Sequence, residues 1–207
     1  MSERENSGHS GDSRPERSFL LSGRLDNTWC AELDSPKSRA IAHQALTVLE
    51  QWLRRRAAAA ELAKGSRVQP DVKGECFEVE DGVYLEACLL LIKTLIFASR
   101  ADEHIEQDEL GPLCSVYQGL CAQFDAQGFI DKMMTCKVNP LDIAREVRFE
   151  EEALDIYLLS SMLLDGPHFL EHNYLEGLGA ALHIPPSQQR ELDKRARELL
   201  HAQSAGA

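Results

Sequence analysis

The most constraining stretch is a helix-length run of apolar residues that ends in a burst of acid. Between Gly82 and Arg100, Leu85, Cys88, Leu89, Leu91, Ile92, Leu95, Ile96 and Phe97 cover most of a helix circumference. A helix that is apolar all round must be buried at the centre of a bundle or cross a membrane. Lys93 and Thr94 interrupt the run, so no stretch reaches the roughly 18 uninterrupted apolar residues of a span, and the centre of a bundle is the expectation. Immediately after it, Ala101-Asp102-Glu103-His104-Ile105-Glu106-Gln107-Asp108-Glu109 places five carboxylates within eight residues. Carboxylates so crowded repel one another unless water, a basic group or a cation relieves the charge.

The remaining pattern is helical, and no strand pattern competes with it. Ser35-Pro36 reads as an N-cap with proline in the first turn, opening a helix to about Lys64 whose stripe is Ile41, Ala45, Val48, Leu49, Trp52 and Leu53. Asp81 caps the apolar helix, and its successor starts near Asp108, because Pro112 is tolerated only in a first turn. Further helices are expected over Phe124 to Cys136, Leu141 to Val147 after Asn139-Pro140, Glu150 to Leu164, and about His168 to His183. A charged helix then runs to about Leu200. Glu150-Glu151-Glu152 is read as favourable charge at a helix N-terminus. The fold class is all-α. The domain plan is a disordered tail over 1–34, an amphipathic helix over 35–65, a linker over 66–80 that holds Pro70 and Gly74, and a compact helical domain over 81–202.

Charge narrows the function classes. The net charge is −12, and residues 65–207 hold twelve Lys/Arg against twenty-five Asp/Glu, which argues against nucleic acid as a partner. Arg54-Arg55-Arg56 beside Trp52 allows a weak membrane-surface contact, set against a bundle-packing helix with a solvated basic end. The N-terminus lacks the apolar core of a secretory signal, so a cytoplasmic location is expected. The six cysteines form no CxxC pair and are expected to be reduced thiols.

A second, thinner acidic turn, Asp165-Gly166-Pro167-His168-Phe169-Leu170-Glu171, repeats the arrangement after another apolar helix. An Asp just past a helix C-terminus opposes the macrodipole by about 0.3–1 kcal/mol. Compensation by a cation at Asp102, Glu106, Glu109, Asp165 and Glu171 would explain the repeat. Oxygen ligands select calcium, magnesium or manganese, while His104 and His168 would tilt a site toward a transition metal. The competing explanation is that the Asp residues cap the turns. No nucleophile elbow or phosphate-cradling glycine loop is present, so an enzyme is not expected.

These residues resemble a known family. Leu90-Leu91-Ile92-Lys93 through Ala101–Glu106 to Glu109, Pro140–Ala144, Ala153–Ser160 and Asp165–Leu175 are similar, in order, to segments of the bacterial YebE-type proteins of unknown function, relatives of the TerB tellurite-resistance fold. The resemblance spans roughly residues 84–195. It implies a compact TerB-like bundle, here with an extra N-terminal helix, acidic turns proposed to hold a divalent metal, and a link to envelope or oxyanion stress. The matching acids are Asp102, Glu109, Asp165 and Glu171, with Glu106 in place of an Asp. Glu103 stands where the family prefers Gly, and Pro167 where it has Asp. Two functions follow as expectations. One is a metal-binding sensing or scaffolding module with a protein partner. The alternative is a metal-free protein interaction module whose acids are helix caps.

Overall fold

The structure is a computed structural model, and it describes residues 18–20, 35–64, 78–101, 127–164 and 168–204. Among the described residues there are seven helices: α1 (Pro36–Ala63), α2 (Asp81–Ser99), α3 (Gln127–Thr135), α4 (Pro140–Ala144), α5 (Glu150–Leu163), α6 (Phe169–Ala181) and α7 (Pro186–Ser204). The protein is all-α apart from two three-residue strands, β1 (Ser18–Leu20) and β2 (Glu78–Glu80), paired antiparallel with Phe19 opposite Val79. The all-α fold class expected from the sequence holds. The two strands lie in segments expected to be tail and linker, and three-residue strands are too short to show the alternation by which a strand is read.

Local chemistry explains the helix ends. Ser35 is extended, with φ −89° and ψ 133°, and its hydroxyl accepts from the Ser38 N–H at 3.5 Å, with Pro36 in the first turn. Asn139 caps α4 in the same way, its Oδ1 accepting from the Leu141 N–H at 3.2 Å. α4 stops at Ala144, three residues short of the expected Val147. α6 ends before His183, which takes the left-handed conformation at φ 57°. There Ile184 N–H donates to Gly179 O at 2.9 Å and His183 N–H to Ala180 O at 3.2 Å, the paired bonds of a Schellman motif. His stands in place of the usual Gly, and the stop signal in the sequence is Pro185-Pro186, which puts the end at about His183, two residues beyond Ala181. The expected helix opening near Asp108 lies outside the described residues.

α1, α2 and α5 pack against one another, α7 closes over α1 and α5, and α3, α4 and α6 cover the other end. The predicted stripe of α1 is wholly internal: Ile41, Ala45, Val48, Leu49, Trp52 and Leu53 are at most 1% exposed. They belong to the same core as Leu91, Leu95 and Phe97 of α2 and Ile156 and Leu159 of α5. Each large side chain buried there contributes about 1.5–3 kcal/mol, so α1 is a wall of the core and not an addition to a separate bundle. The stretch Gly82–Ser99 of α2 is long and apolar enough to cross a membrane by length and composition, yet 72% of it is buried inside this protein.

Polar groups fix how the three central helices meet. Arg56, 2% exposed, donates from Nε to Glu152 Oε1 at 2.7 Å and from Nη2 to Oε2 at 2.9 Å, and Glu152 is fully buried. The second carboxylate oxygen also accepts the Arg148 N–H at 2.9 Å. Glu86 of α2 joins this network through the Arg148 guanidinium and, at 3.9 Å, through Arg56 Nη1. The basic end of α1 is therefore not the solvated end expected. Arg54 pairs with Glu50 at 2.6 Å, while Arg56 and Trp52 are interior, so neither of these two is available to a lipid surface. Glu152, read as one of three capping acids, is the buried partner of Arg56 as well.

One turn earlier on α1, the Trp52 indole N–H donates to Asp155 Oδ2 at 3.0 Å. Burial raises the Asp155 pKa above its ordinary 3.8; the Trp52 bond, Arg55 and Arg195 pull it back, and Glu151 adds to the rise. The folded state therefore binds this proton more tightly than the unfolded chain. Stability falls as pH rises from the ordinary aspartate value through the raised one, and the loss persists above it. Asp155→Asn keeps an acceptor for the indole and removes the charge. We expect it to match or exceed the parent in denaturant melts at pH 7, with the difference closing toward pH 4. A variant clearly weaker at pH 7 would contradict this account.

The buried pair gives a second expectation. Glu152→Ala strands the Arg56 charge and should cost about 3–5 kcal/mol, whereas Arg56→Met with Glu152→Leu should recover most of that loss. Urea unfolding of the two variants checks it. Equal losses in both would show that the pair itself, rather than the stranded charge, carries the stability.

Candidate functional site

Four of the five candidate ligands, Asp102, Glu106, Glu109 and Asp165, lie outside the described residues, as does His104. Glu171 is described, in the first turn of α6 and 9% exposed. A carboxylate there gains from the positive end of the helix, which accounts for its position without a metal. It lines a cavity of about 190 Å³ between α5, α6 and α7, together with Ser161, His172, Asp193 and Arg197. Within it the Ser161 hydroxyl donates to Asp193 Oδ1 at 2.8 Å. The neighbouring Tyr157 phenol is pushed well above its ordinary pKa, by burial first and then by the Asp193 carboxylate. His172 faces Glu176 at 3.3 Å, and His168 is exposed at the N-cap of α6. Among the described residues no three His, Cys, Asp or Glu side chains gather as a cage for a metal ion.

The first acidic turn departs from the C-terminal end of α2, whose last residues are held by α3. Arg100 Nη1 donates to the carbonyl oxygens of Met133 at 2.6 Å and Cys136 at 2.8 Å, satisfying the C-terminal end of α3. Lys93, 7% exposed, reaches Asp142 O at 3.1 Å and Glu146 Oε1 at 2.6 Å, with the Phe97 ring centre 5.8 Å away. This buried lysine, which interrupts the apolar run in sequence, is what docks α4 on α2. Cys88 and Cys136 are free thiols, as expected of these two; the other four cysteines lie outside the described residues.

Between the end of α2, the 137–140 connection and α6 opens a cleft of about 630 Å³. Arg100, Ala101, Lys137, Val138 and Pro140 form one side; Leu170, Asn173, Tyr174 and Gly177 form the other. Tyr174 is 7% exposed, and burial raises its hydroxyl pKa far above the ordinary value, with Ser160 beside it opposing the rise. Leu141, Phe169 and Leu170 stand exposed nearby on α4 and α6. Glu171 and the end of α2 thus line different cavities. Sequence reasoning missed the cleft, because Arg100 and Lys137 meet only once α3 has folded back, and neither sits in a motif.

An all-α bundle with α1 in its core is the class these elements define. The chain belongs to the family "Protein of unknown function (DUF533)", whose family model matches residues 37–196. The match begins at the start of α1, in agreement with the place of α1 in the core. The chain is also similar to the "Uncharacterized protein in ampR 5'region" of Yersinia enterocolitica, 31% identical over 108 residues, which is 52% of this chain and 78% of that protein. No solved structure matches.

Proposed function

We propose that this member of a family of unknown function is a non-enzymatic, TerB-like helical module that works by binding. Its acidic turns, through Asp102, Glu106, Glu109, Asp165 and Glu171, take a hard divalent cation, calcium, magnesium or manganese, and the module serves a stress-related sensing or scaffolding role. It acts in the cytoplasm on another protein, a partner class favoured over nucleic acid by the net charge of −12.

The strongest support is the disposition of Arg100. It is the basic residue nearest Asp102 in the chain, and its Nη1 is spent on the carbonyls of Met133 and Cys136. Lys93 is likewise committed to α4 and Glu146. At most one guanidinium edge is then left for the five carboxylates of 102–109, so most of their charge needs relief from elsewhere, and a cation supplies it. A metal-free interaction module is the second reading, favoured by Glu171, whose place in the first turn of α6 is explained by the helix dipole alone.

A thermal melt of the full chain separates the two. Chelator-treated protein is titrated with calcium, magnesium, manganese and zinc, beside Asp102→Asn with Asp165→Asn. A cation at a hundred times its Kd stabilises by about 2.7 kcal/mol, a rise of about 5–10 °C for a chain of this length, and we expect that rise for one hard cation and its loss in the double variant. Melts that no cation moves, with a variant as stable as the parent, would leave the acids as caps.

A further inference from the structure

Among the described residues that line the cleft beside α6, Arg100 and Lys137 are the charged ones, and both are cationic, whereas the chain has a net charge of −12. Arg100 is held in place by the two carbonyls on its Nη1, and among the described residues no hydrogen bond engages its Nε and Nη2. Those two nitrogens form the edge of the guanidinium that grips a carboxylate with two parallel bonds. Anchoring one end in advance lowers the conformational cost of using the other. Lys137 is exposed and forms no ion pair among the described residues, so its ammonium is also available. Beside these cations Val138 and Pro140 make the wall apolar, and Leu170 of α6 adds an apolar surface on the other side. The volume of about 630 Å³ lies within the range of roughly 300–1,000 Å³ typical of small-molecule sites.

We propose that this cleft is a binding site for a carboxylate carried on an apolar body. The carboxylate lies on the Arg100 edge and the Lys137 ammonium, and the apolar part lies along Leu170 and Pro140. This assignment stands apart from cation binding by the acidic turns. The carboxylate can come from a free organic acid or from an acidic side chain beside bulky apolar residues in a peptide, and the two sources are separated by probe.

The test is calorimetric titration of the full chain with octanoate, with octylamine as the charge-inverted control, and with a blocked tetrapeptide of three leucines and one aspartate. Gly177 is the place to fill the cleft, since a Cβ there meets only the Pro140 ring carbon at 3.7 Å and the helix tolerates a side chain. Gly177→Leu should abolish binding and Lys137→Glu should weaken it by about tenfold or more, with both variants melting like the parent. Lys137→Arg should retain it. Saturable binding of octanoate identifies a free acid as the source, and saturable binding of the peptide alone identifies a protein segment. Binding of neither probe, equal binding of octylamine, or affinity unchanged in Gly177→Leu overturns the proposal.

Discussion

The way the three central helices meet is set by a buried charged pair. Arg56 and Glu152 meet where α1, α2 and α5 converge, and each would be a heavily penalised buried charge without the other. Because both carboxylate oxygens and two guanidinium nitrogens are used, the pair specifies the rotation and register of α1 against α5, which leucine packing alone would leave less sharply defined. The Trp52 indole on Asp155 repeats the constraint one turn away, and Glu86 carries it to α2. With those three helices fixed, α7 has a seat across α1 and α5, and the far end of α2 presents Lys93 and Arg100 to α4 and α3.

The polar contacts at that far end have a consequence for binding. Arg100 closes the C-terminal end of α3 with one nitrogen and also lines the cleft against α6. The same side chain therefore holds a structural position and lends a cationic face to a site. Held by backbone carbonyls, it offers at most one edge to a carboxylate, too little to neutralise the five acids that follow in the chain. The proposals of cation relief at the acidic turns and of anion recognition in the cleft both start from this one arginine placement.

Much of the fold was legible where a local rule decides the structure. The Ser35-Pro36 and Asn139-Pro140 caps, the stripe from Ile41 to Leu53 and the all-round apolar face of α2 each follow from neighbours within a turn or two. The end of α6 was legible to within two residues from Pro185-Pro186, although the left-handed residue there is His183 and not Gly. What sequence could not give were the long-range pairings. Arg56 reads as one of three solvated arginines until Glu152, distant in the chain, is placed against it, and Lys93 reads as a break until Glu146 arrives. Of the candidate site only Glu171 can be located, and its cavity is not the one beside α2. The cleft was illegible for the same reason, since its two cations come from segments joined only by the fold.

The central claim is that α1 is part of a single core. Its most direct measurement is the cooperativity of a chain truncated to residues 66–207, followed by far-UV and near-UV circular dichroism through urea. Without Trp52, Leu49 and Leu53 against α2 and α5, and with Glu152 left buried alone, the account predicts no cooperative transition and no fixed aromatic signal. A truncated chain that unfolds sharply, with near-UV structure like that of the parent, would show that α1 is an addition to an independent bundle and would contradict it.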